Sequence, residues 1–246
     1  METNEYIKLA DVEDRMWYFR ALHAHVHRLL GAGLKGVGKA RVLDAGCGTG
    51  GLIVRLQALE PAWRFTGIDF SALACEFAAK RCAGAEIREG SVTGLPFADA
   101  GFDALVSADV VCQVDEKERA FAEFFRCVRP GGVVVVNLPA YKWMWSYHDD
   151  TCQTKHRYGR RELAGLLEAA GFLEVRVTHW NAIPFPLLVA KRKLFRASGA
   201  TSDVRMYPAP LEAIFNGAMA LERAWLRGVG RLPFGSSVLA VARRPE

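Results

Sequence analysis

A short apolar run that stops abruptly at glycines constrains the fold of this chain more than any other feature. In VLDAGCGTG, Val42 and Leu43 belong to an apolar run typical of a buried strand. Gly46, Gly48 and Gly50 follow it at once. Residues without a Cβ allow a tight turn and let backbone N–H groups come close to a ligand. Because a helical apolar pattern comes next, the segment predicts a strand, a ligand-binding turn and a helix.

The same alternation of strand and helix patterns continues along the chain. Its clearest strand is Val133–Val136, four β-branched residues that suit a central strand covered on both faces. Such alternation is typical of a doubly wound sheet. We therefore expect an α/β fold with a mostly parallel, seven-stranded Rossmann-like sheet and helices on both faces. SSVLAVARR at the C-terminus is predicted to be the last strand.

Helical additions are predicted at both ends of this core. Glu13–Leu30 carries apolar residues on one stripe, which predicts an amphipathic helix within an N-terminal segment, residues 1–38. Residues 179–235, before the last strand, contain five prolines and are too long for a plain turn. They are predicted to form a helical insertion that covers one end of the sheet. A length of 246 residues suits a single domain, residues 1–246.

Composition excludes several classes of protein. The net charge of +5 is modest, and the basic residues form no interleaved basic and aromatic face, so no nucleic-acid partner is expected. Six cysteines are scattered without a CxxC or a Cys/His cluster, which argues against a disulfide framework and a metal site. His23 and His27 are one helical turn apart, a spacing more typical of a solvated face. Because no apolar leader or membrane-spanning stretch is present, a cytoplasmic protein is expected.

Two acids flank the glycine turn and discriminate between cofactors. Gly46, Gly48 and Gly51 satisfy the GxGxxG pattern, and Asp69 follows where an acid can accept both hydroxyls of a ribose. These features leave an NAD-dependent oxidoreductase open. Asp44, just before the glycines, would repel a pyrophosphate but attract the ammonium of an amino-acid cofactor. The charge pattern therefore favours a cofactor with a cationic end.

Four motifs in order carry a resemblance to a known family. VLDAGCGTG, GIDFS, GSVTGLPF and RPGG together resemble the class I S-adenosylmethionine-dependent methyltransferases, of the methyltransferase type 11-like kind, over residues 40–140. The resemblance implies a single methyltransferase domain that uses S-adenosyl-L-methionine. Residues 1–38 would then form a helical lid, and residues 179–235 would cover the acceptor site.

The resemblance also implies which residues hold the cofactor. Around the methionine part of the cofactor it implies Asp44, Gly46, Gly48 and Gly50. Asp69 would bind the ribose and Phe70 would pack on the adenine. Ser91 and Val92 would flank the edge of the adenine base. Many relatives carry an acid at the position of Ser91, and Glu-His at the positions of Cys112 and Gln113. EDRMWYFR looks like a segment that precedes the fold in one subgroup, which implies that Tyr18 and Arg20 face inward. The alternative is a helix packed by Trp17 and Phe19.

The loop after Val133–Val136 is the predicted source of acceptor-site residues, since open α/β folds bind ligands at the carboxyl ends of their strands. It resembles the loop of a bacterial methyltransferase subgroup with an HD…HxRY-like pattern. The candidate catalytic residues are His148, Asp149, His156 and Tyr158. His156 would take a proton at neutral pH, with Asp149 or Asp150 orienting it. Alternatively, His148 and His156 only hydrogen-bond the loop into place.

The insertion carries the hypothesis about the acceptor. NAIPFPLLVAKRKLFR runs from apolar into basic residues, among them Lys191, Arg192 and Arg196. This pattern suits a pocket for a lipid, isoprenoid or quinone-like acceptor, with peripheral membrane contact through residues 183–196. The alternative is a core helix with a solvated end. We expect a methyltransferase acting on a small lipophilic or amphiphilic acceptor; the other hypotheses are an NAD-dependent oxidoreductase and a non-catalytic cofactor-binding scaffold.

Overall fold

The sheet positions everything that follows. The computed structural model describes residues 3–194 and 202–246, and these form a seven-stranded sheet of order β3-β2-β1-β4-β5-β7-β6. The strands are β1 Arg41–Ala45, β2 Arg64–Asp69, β3 Glu86–Glu89, β4 Phe102–Ala108, β5 Val128–Pro139, β6 Leu173–Trp180 and β7 Ser237–Arg243. Only β7 is antiparallel to its neighbours β5 and β6 among these strands. The predicted mostly parallel, seven-stranded sheet is confirmed.

Helices cover both faces of the sheet, as predicted. They are α1 Thr3–Val12, α2 Trp17–Gly33, α3 Gly51–Leu59, α4 Ala72–Arg81, α5 Lys117–Cys127, α6 Tyr147–Thr151, α7 Arg160–Ala169, α8 Phe185–Leu194 and α9 Ala209–Gly228. Val133 and Val135 pack into the core beneath α2 and α3. Val134 and Val136 pack into the opposite core with α5 and α7. The β-branched run is thus buried on both faces, which explains its composition.

The N-terminal segment differs from the single helix predicted over Glu13–Leu30. It forms two helices, α1 and α2, and the chain is extended at Met16, the residue before α2. The sequence analysis did not predict α1, whose Tyr6 and Val12 are buried. Tertiary partners hold it: Glu5 and Ser202 are hydrogen-bonded.

The helical insertion contains α8 and α9, and two buried glutamates of α9 hold it in place. Glu212 accepts the backbone N–H of Trp17 at 2.9 Å, where α2 begins. Glu222 accepts the N–H groups of Ala182 and Ile183, at 2.7 and 3.2 Å, in the loop after β6. Helix α9 therefore ties the N-terminal helices to the end of β6. No helix in the described part of the chain is long and apolar enough to cross a membrane.

Candidate functional site

A cavity of about 760 Å³ lies at the carboxyl ends of the strands, where β1 and β4 lie side by side and the strand order reverses. Open α/β sheets bind ligands at this switch point because the connections leave it on opposite faces. The walls come from the glycine turn after β1, from α1 and α2, and from α8 and α9. The N-terminal segment and the insertion therefore meet over one space.

The glycine turn has the geometry that its sequence predicts. Gly46 has φ +91°, and a Cβ there would overlap the side chain of Val110. Gly50, the residue before α3, has φ +90°, and a Cβ there would meet Cys82 Sγ. Both conformations favour glycine. Gly48 donates its N–H to Asp69 Oδ2 at 2.9 Å, which joins the turn to the end of β2.

Three acids surround this end of the cavity. Asp44 is buried at the end of β1, and burial, followed by the charges of Asp69 and Glu13, raises its pKa to about 8. Burial also raises the pKa of Asp69, against the N–H groups of Ser71 and Gly48, which lower it. Arg81 forms an ion pair with Glu13. Since buried acids that repel one another are stabilised by a cation, this end suits a ligand with a positive charge and disfavours a pyrophosphate.

The residues predicted at the ribose and adenine also line the cavity. Phe70 is 60% exposed and faces it, beside the buried Val92. The Ser91 hydroxyl lies 2.8 Å from the Thr93 hydroxyl at the same rim. Tyr6 of α1, which sequence reasoning did not select, is hydrogen-bonded to Asp69. The structure thus brings together Asp44, Gly46, Gly48, Asp69, Phe70, Ser91 and Val92, whereas Gly50, also predicted at the cofactor, faces Cys82 and Ala78 and is not in the lining.

Tyr18, predicted to face inward, belongs to a polar cluster next to the glycine turn whose other members, Asp109, Asn137 and Trp180, sequence reasoning missed. Tyr18 of α2 donates its hydroxyl to Asp109 Oδ2 at 3.0 Å. Asn137, in β5, donates its side-chain N–H to Asp109 Oδ1 at 3.0 Å. Trp180 Nε1 donates to Asn137 Oδ1 at 2.6 Å and its ring stacks on Tyr18. The available signal was the acid that ends FDALVSAD, at the carboxyl end of a predicted strand.

The backbone and the pKa of Asp109 also mark it as unusual. Its φ of +59° is uncommon outside glycine, and the conformation is held by its N–H, which donates to the Asn137 carbonyl at 2.8 Å. Burial raises the pKa of Asp109 to about 6, although Tyr18, Asn137 and Arg157 each lower it. At pH 7 the group is therefore largely ionised, and it lines the cavity.

The prediction that Arg20 faces inward with Tyr18 is wrong. Arg20 is exposed and is absent from the cavity lining. Two residues along an α-helix correspond to about 200° of rotation, so the two side chains lie on opposite sides of α2. The alternative weighed for this segment also holds, because Trp17 is buried and packs on Phe215 of α9.

The candidate catalytic residues separate into two pairs. His156 and Tyr158 lie outside the cavity lining, which corrects the prediction that they contact the acceptor. His156 Nε2 is 2.6 Å from Glu162 Oε1, and the fully buried Tyr158 donates its hydroxyl to the Val111 carbonyl at 3.3 Å. The Tyr158 ring belongs to an apolar core under the loop, and the His156 ring packs edge-on against it. For His156, the geometry favours the alternative that it holds the loop in place.

His148 and Asp149 do line the cavity, but both are engaged in structure. Asp149 forms a buried ion pair with Arg157, at 2.7 Å. His148 Nδ1 accepts the N–H of Asp203 at 3.1 Å. Burial, followed by the charge of Arg192, lowers the pKa of His148 to about 4, so the ring is neutral at pH 7. Asp150 accepts the Trp145 indole N–H at 2.9 Å.

The basic end of α8 is arranged differently from the prediction. Lys191 and Arg192 form ion pairs with Asp203 in the cavity wall. The single carboxylate of Asp203 holds both side chains in the cavity wall and offsets one of their two charges, an arrangement that gives the predicted contact with lipid head groups no support. Residues 195–196 of the proposed contact segment, including Arg196, lie outside the described residues.

The two histidines of α2 also differ from the solvated pair that their spacing suggested. His23 is buried and lines the cavity, and burial lowers its pKa to about 3. His27 lies 2.8 Å from Glu60 Oε1. Apolar side chains dominate the part of the cavity beyond Tyr18. They include Trp17, Phe19, Leu22, Leu187, Leu188, Leu211 and Phe215.

The pKa of Asp44 predicts proton-linked binding of a ligand with an ammonium group. At pH 7 the free protein holds Asp44 mainly protonated, whereas the bound cation favours the carboxylate. Titration of S-adenosylhomocysteine in buffers of different ionisation enthalpy should show proton release at pH 7. Affinity should increase from pH 6 to pH 8, by up to about tenfold per pH unit.

The matched control for this titration is Asp44→Asn, which should abolish both the proton release and most of the pH dependence. Equal affinity at pH 6 and pH 8, with no proton released by the unmodified protein, would contradict the role assigned to Asp44.

Comparisons with known proteins agree with this geometry. A family profile described as "Methyltransferase domain" matches residues 43–136. Demethylmenaquinone methyltransferase of Staphylococcus aureus is 31% identical over 167 residues, which covers 56% of this chain and 69% of that protein. A Mycolicibacterium smegmatis protein named as an S-adenosylmethionine-dependent methyltransferase is 31% identical over 165 residues, covering 65% of this chain. This chain spans 60% of the length of that relative.

A solved structure shares the fold at low sequence identity. Geranyl diphosphate C-methyltransferase from Streptomyces coelicolor, in complex with Mg²⁺, geranyl diphosphate and S-adenosyl-L-homocysteine, has a TM-score of 0.62 and 19% identity. The match covers 92% of this chain and 80% of that one. At this identity the likeness concerns the fold.

Proposed function

The chain belongs to the class I S-adenosylmethionine-dependent methyltransferases, and from that premise we propose that it transfers a methyl group from S-adenosyl-L-methionine to a small lipophilic acceptor. One observation carries the proposal: a single cavity joins an acid-lined end at the glycine turn to an apolar end between α2, α8 and α9. The first end fits a cationic cofactor and the second fits an apolar molecule.

The residues at the acid-lined end fit the cofactor. Asp44 would bind its ammonium group and Asp69 its ribose hydroxyls, while the turn from Gly46 to Gly50 leaves room for the backbone to approach. The raised pKa of Asp44 supports this assignment, because its buried carboxylate is stabilised when a cation such as the ammonium group binds beside it. S-Adenosylmethionine supplies an electrophilic methyl group when bound.

The chain's own contribution is alignment and exclusion of water. In this proposal the N-terminal segment, residues 1–38, acts as a lid, because Tyr6, Glu13 and Tyr18 reach the cavity from it. The insertion, residues 179–235, would cover the acceptor through Leu187 and Phe215. Both would close the site within one domain.

Asp109 and Tyr18 would hold the reactive group of the acceptor. Each carboxylate oxygen of Asp109 accepts one hydrogen bond, from Tyr18 or Asn137, and keeps a lone pair for an acceptor O–H or N–H. With a pKa of about 6, the ionised carboxyl can take that proton at pH 7 as the acceptor attacks the methyl group. The methyl–sulfur bond breaks in the same step, and its electron pair stays on sulfur.

The lipophilic character of the acceptor has two sources of support. The lining from α2, from residues 184–188 and from α9 consists mainly of apolar side chains, while His148, Asp149, Lys191, Arg192 and Asp203 form a charged part of the wall. The names of a Staphylococcus aureus relative and a Streptomyces coelicolor neighbour, demethylmenaquinone and geranyl diphosphate methyltransferases, describe lipophilic acceptors. A quinol-like or isoprenoid acceptor is therefore the class we would test first.

The proposal predicts where a transferred methyl group ends up. Given methyl-labelled S-adenosylmethionine and, in separate reactions, a membrane lipid extract or a soluble extract of the host cell, the purified protein should place label in an organic-extractable product. Asp69→Ala should not, because it removes the ribose contact. Label that appears only with polar metabolites would contradict the lipophilic acceptor, and the absence of label from every extract despite cofactor binding would contradict catalysis.

The assignment of Asp109 predicts a contrast between two variants. Asp109→Asn should lower the turnover of the labelled product by roughly 10²- to 10⁴-fold, the usual contribution of a general base. Its affinity for S-adenosylhomocysteine should stay close to that of the unmodified protein. Turnover of the unmodified protein should decrease as pH falls through about 6, because Asp109 becomes protonated.

His156→Ala is the matched control, since its ring lies outside the cavity. Its turnover should remain within about threefold of normal, because surface substitutions away from a site have small effects. A greater loss for His156→Ala than for Asp109→Asn would restore the histidine as the catalytic base and remove Asp109 from that role.

A further inference from the structure

The outward face of α9 carries small uncharged residues, with the exposed Arg227 beside them. Ala213, Gly217, Ala220 and Ala224 are all exposed and lie on the side turned away from the core. The two acids of this helix, Glu212 and Glu222, point the other way and are buried. An amphipathic helix in contact with water alone would place them outward.

Large apolar residues form one edge of this face. Ile214, Leu221, Trp225 and Val229 are 64%, 70%, 55% and 57% exposed. They are spaced by seven, four and four positions, so they form one stripe along the helix, here called the α9 apolar stripe. Single exposed apolar residues are common on proteins, whereas a contiguous stripe of them marks an interaction surface.

Arginines form the other edge. Arg223 and Arg227 belong to α9, and Arg28 of α2 and Arg176 of β6 lie close by. Burial lowers the pKa of Arg28, and the charges of Arg227 and Arg176 lower it further. Burial and the charges of Arg227 and Arg20 likewise lower the pKa of Arg223, and the charge of Glu222 offsets part of that effect. In residues 3–194 and 202–246, none of these arginines forms a close ion pair with a carboxylate.

We propose that this face of α9 docks on the surface of a lipid bilayer that contains anionic lipids. The α9 apolar stripe would enter the boundary between head groups and acyl chains, and the arginines would bind phosphate groups. Trp225 suits that boundary because its ring is apolar and its N–H is polar. Anionic lipid supplies the negative charge that the arginine edge lacks within the protein.

A second copy of the chain fits this face less well. In a symmetric dimer the same surface patch lies on both subunits, so the arginine edges would meet other arginines. Glu222 offsets only part of this repulsion, at Arg223, and both glutamates point inward, where they accept backbone N–H groups of the same chain. Charge complementarity therefore favours a lipid surface.

The opposite side of the same helix explains why docking there would matter. Leu211 and Phe215 of α9 line the cavity, as does Leu187 of α8, which is 60% exposed. A protein docked through α9 would hold its cavity beside the bilayer, from which a lipophilic acceptor could enter. This consequence rests on the proposed function, whereas the docking itself does not.

The test is flotation of the full chain with vesicles of phosphatidylcholine, with and without one quarter phosphatidylglycerol. The unmodified protein should float with the anionic vesicles, and binding should weaken as salt increases. Leu221→Glu/Trp225→Glu and, separately, Arg223→Gln/Arg227→Gln should each lower the bound fraction at least fivefold. Lys80→Gln/Arg119→Gln removes two exposed cations from α4 and α5 and should bind as the unmodified protein does.

Three outcomes would overturn the proposal. The first is equal flotation of the α9 variants and the unmodified protein. The second is a loss of bound fraction in the Lys80→Gln/Arg119→Gln control as large as that in the α9 variants. The third is a protein that binds no vesicles and is a dimer in light scattering, which Leu221→Glu/Trp225→Glu converts to a monomer. Calorimetry with S-adenosylhomocysteine on each variant shows that the fold is intact. It also separates the two proposals. If the unmodified protein does not bind S-adenosylhomocysteine, the proposed function is contradicted, whereas the vesicle measurement still tests docking.

Discussion

Repulsion among buried acids at the carboxyl end of the sheet is the constraint on which the site depends. Asp44 and Asp69 end neighbouring strands, and Glu13 approaches them from the segment between α1 and α2. Burying ionised carboxylates without a cation costs free energy. The pKa of Asp44 is raised because its ionised form bears this cost. A cofactor with a positive amino-acid end relieves that cost, whereas a dinucleotide with a pyrophosphate would increase it. The oxidoreductase hypothesis is therefore disfavoured by the charges and by family membership.

The acceptor end depends on hydrogen bonds that cross between distant parts of the chain. Glu212 and Glu222 of α9 accept N–H groups at the start of α2 and after β6. Trp180, at the end of β6, donates to Asn137, which in turn donates to Asp109. The insertion and the N-terminal helices are thus fixed to the strand ends that carry the polar cluster. We therefore expect a displacement of α9 to change the position of Asp109.

The sequence alone predicted the sheet and the cofactor end because both follow from local patterns. The glycine turn and the β-branched run of β5 report directly on backbone geometry and burial. The acceptor end could not be predicted in the same way. His156 and Tyr158 stand in a loop dense with titratable groups, and only tertiary packing shows that their rings turn toward Glu162 and Val111. Asp109 acquires its role from partners that lie far away in sequence, Tyr18 among them.

We expect the buried acids to select a cationic cofactor for a site shared with the acceptor. Calorimetric titration of the unmodified protein with S-adenosylhomocysteine and, separately, with NADH measures this selection. S-Adenosylhomocysteine should bind with a dissociation constant in the micromolar range or below, roughly −8 kcal/mol, and NADH should give no measurable heat. Binding of NADH without binding of S-adenosylhomocysteine would contradict this selection.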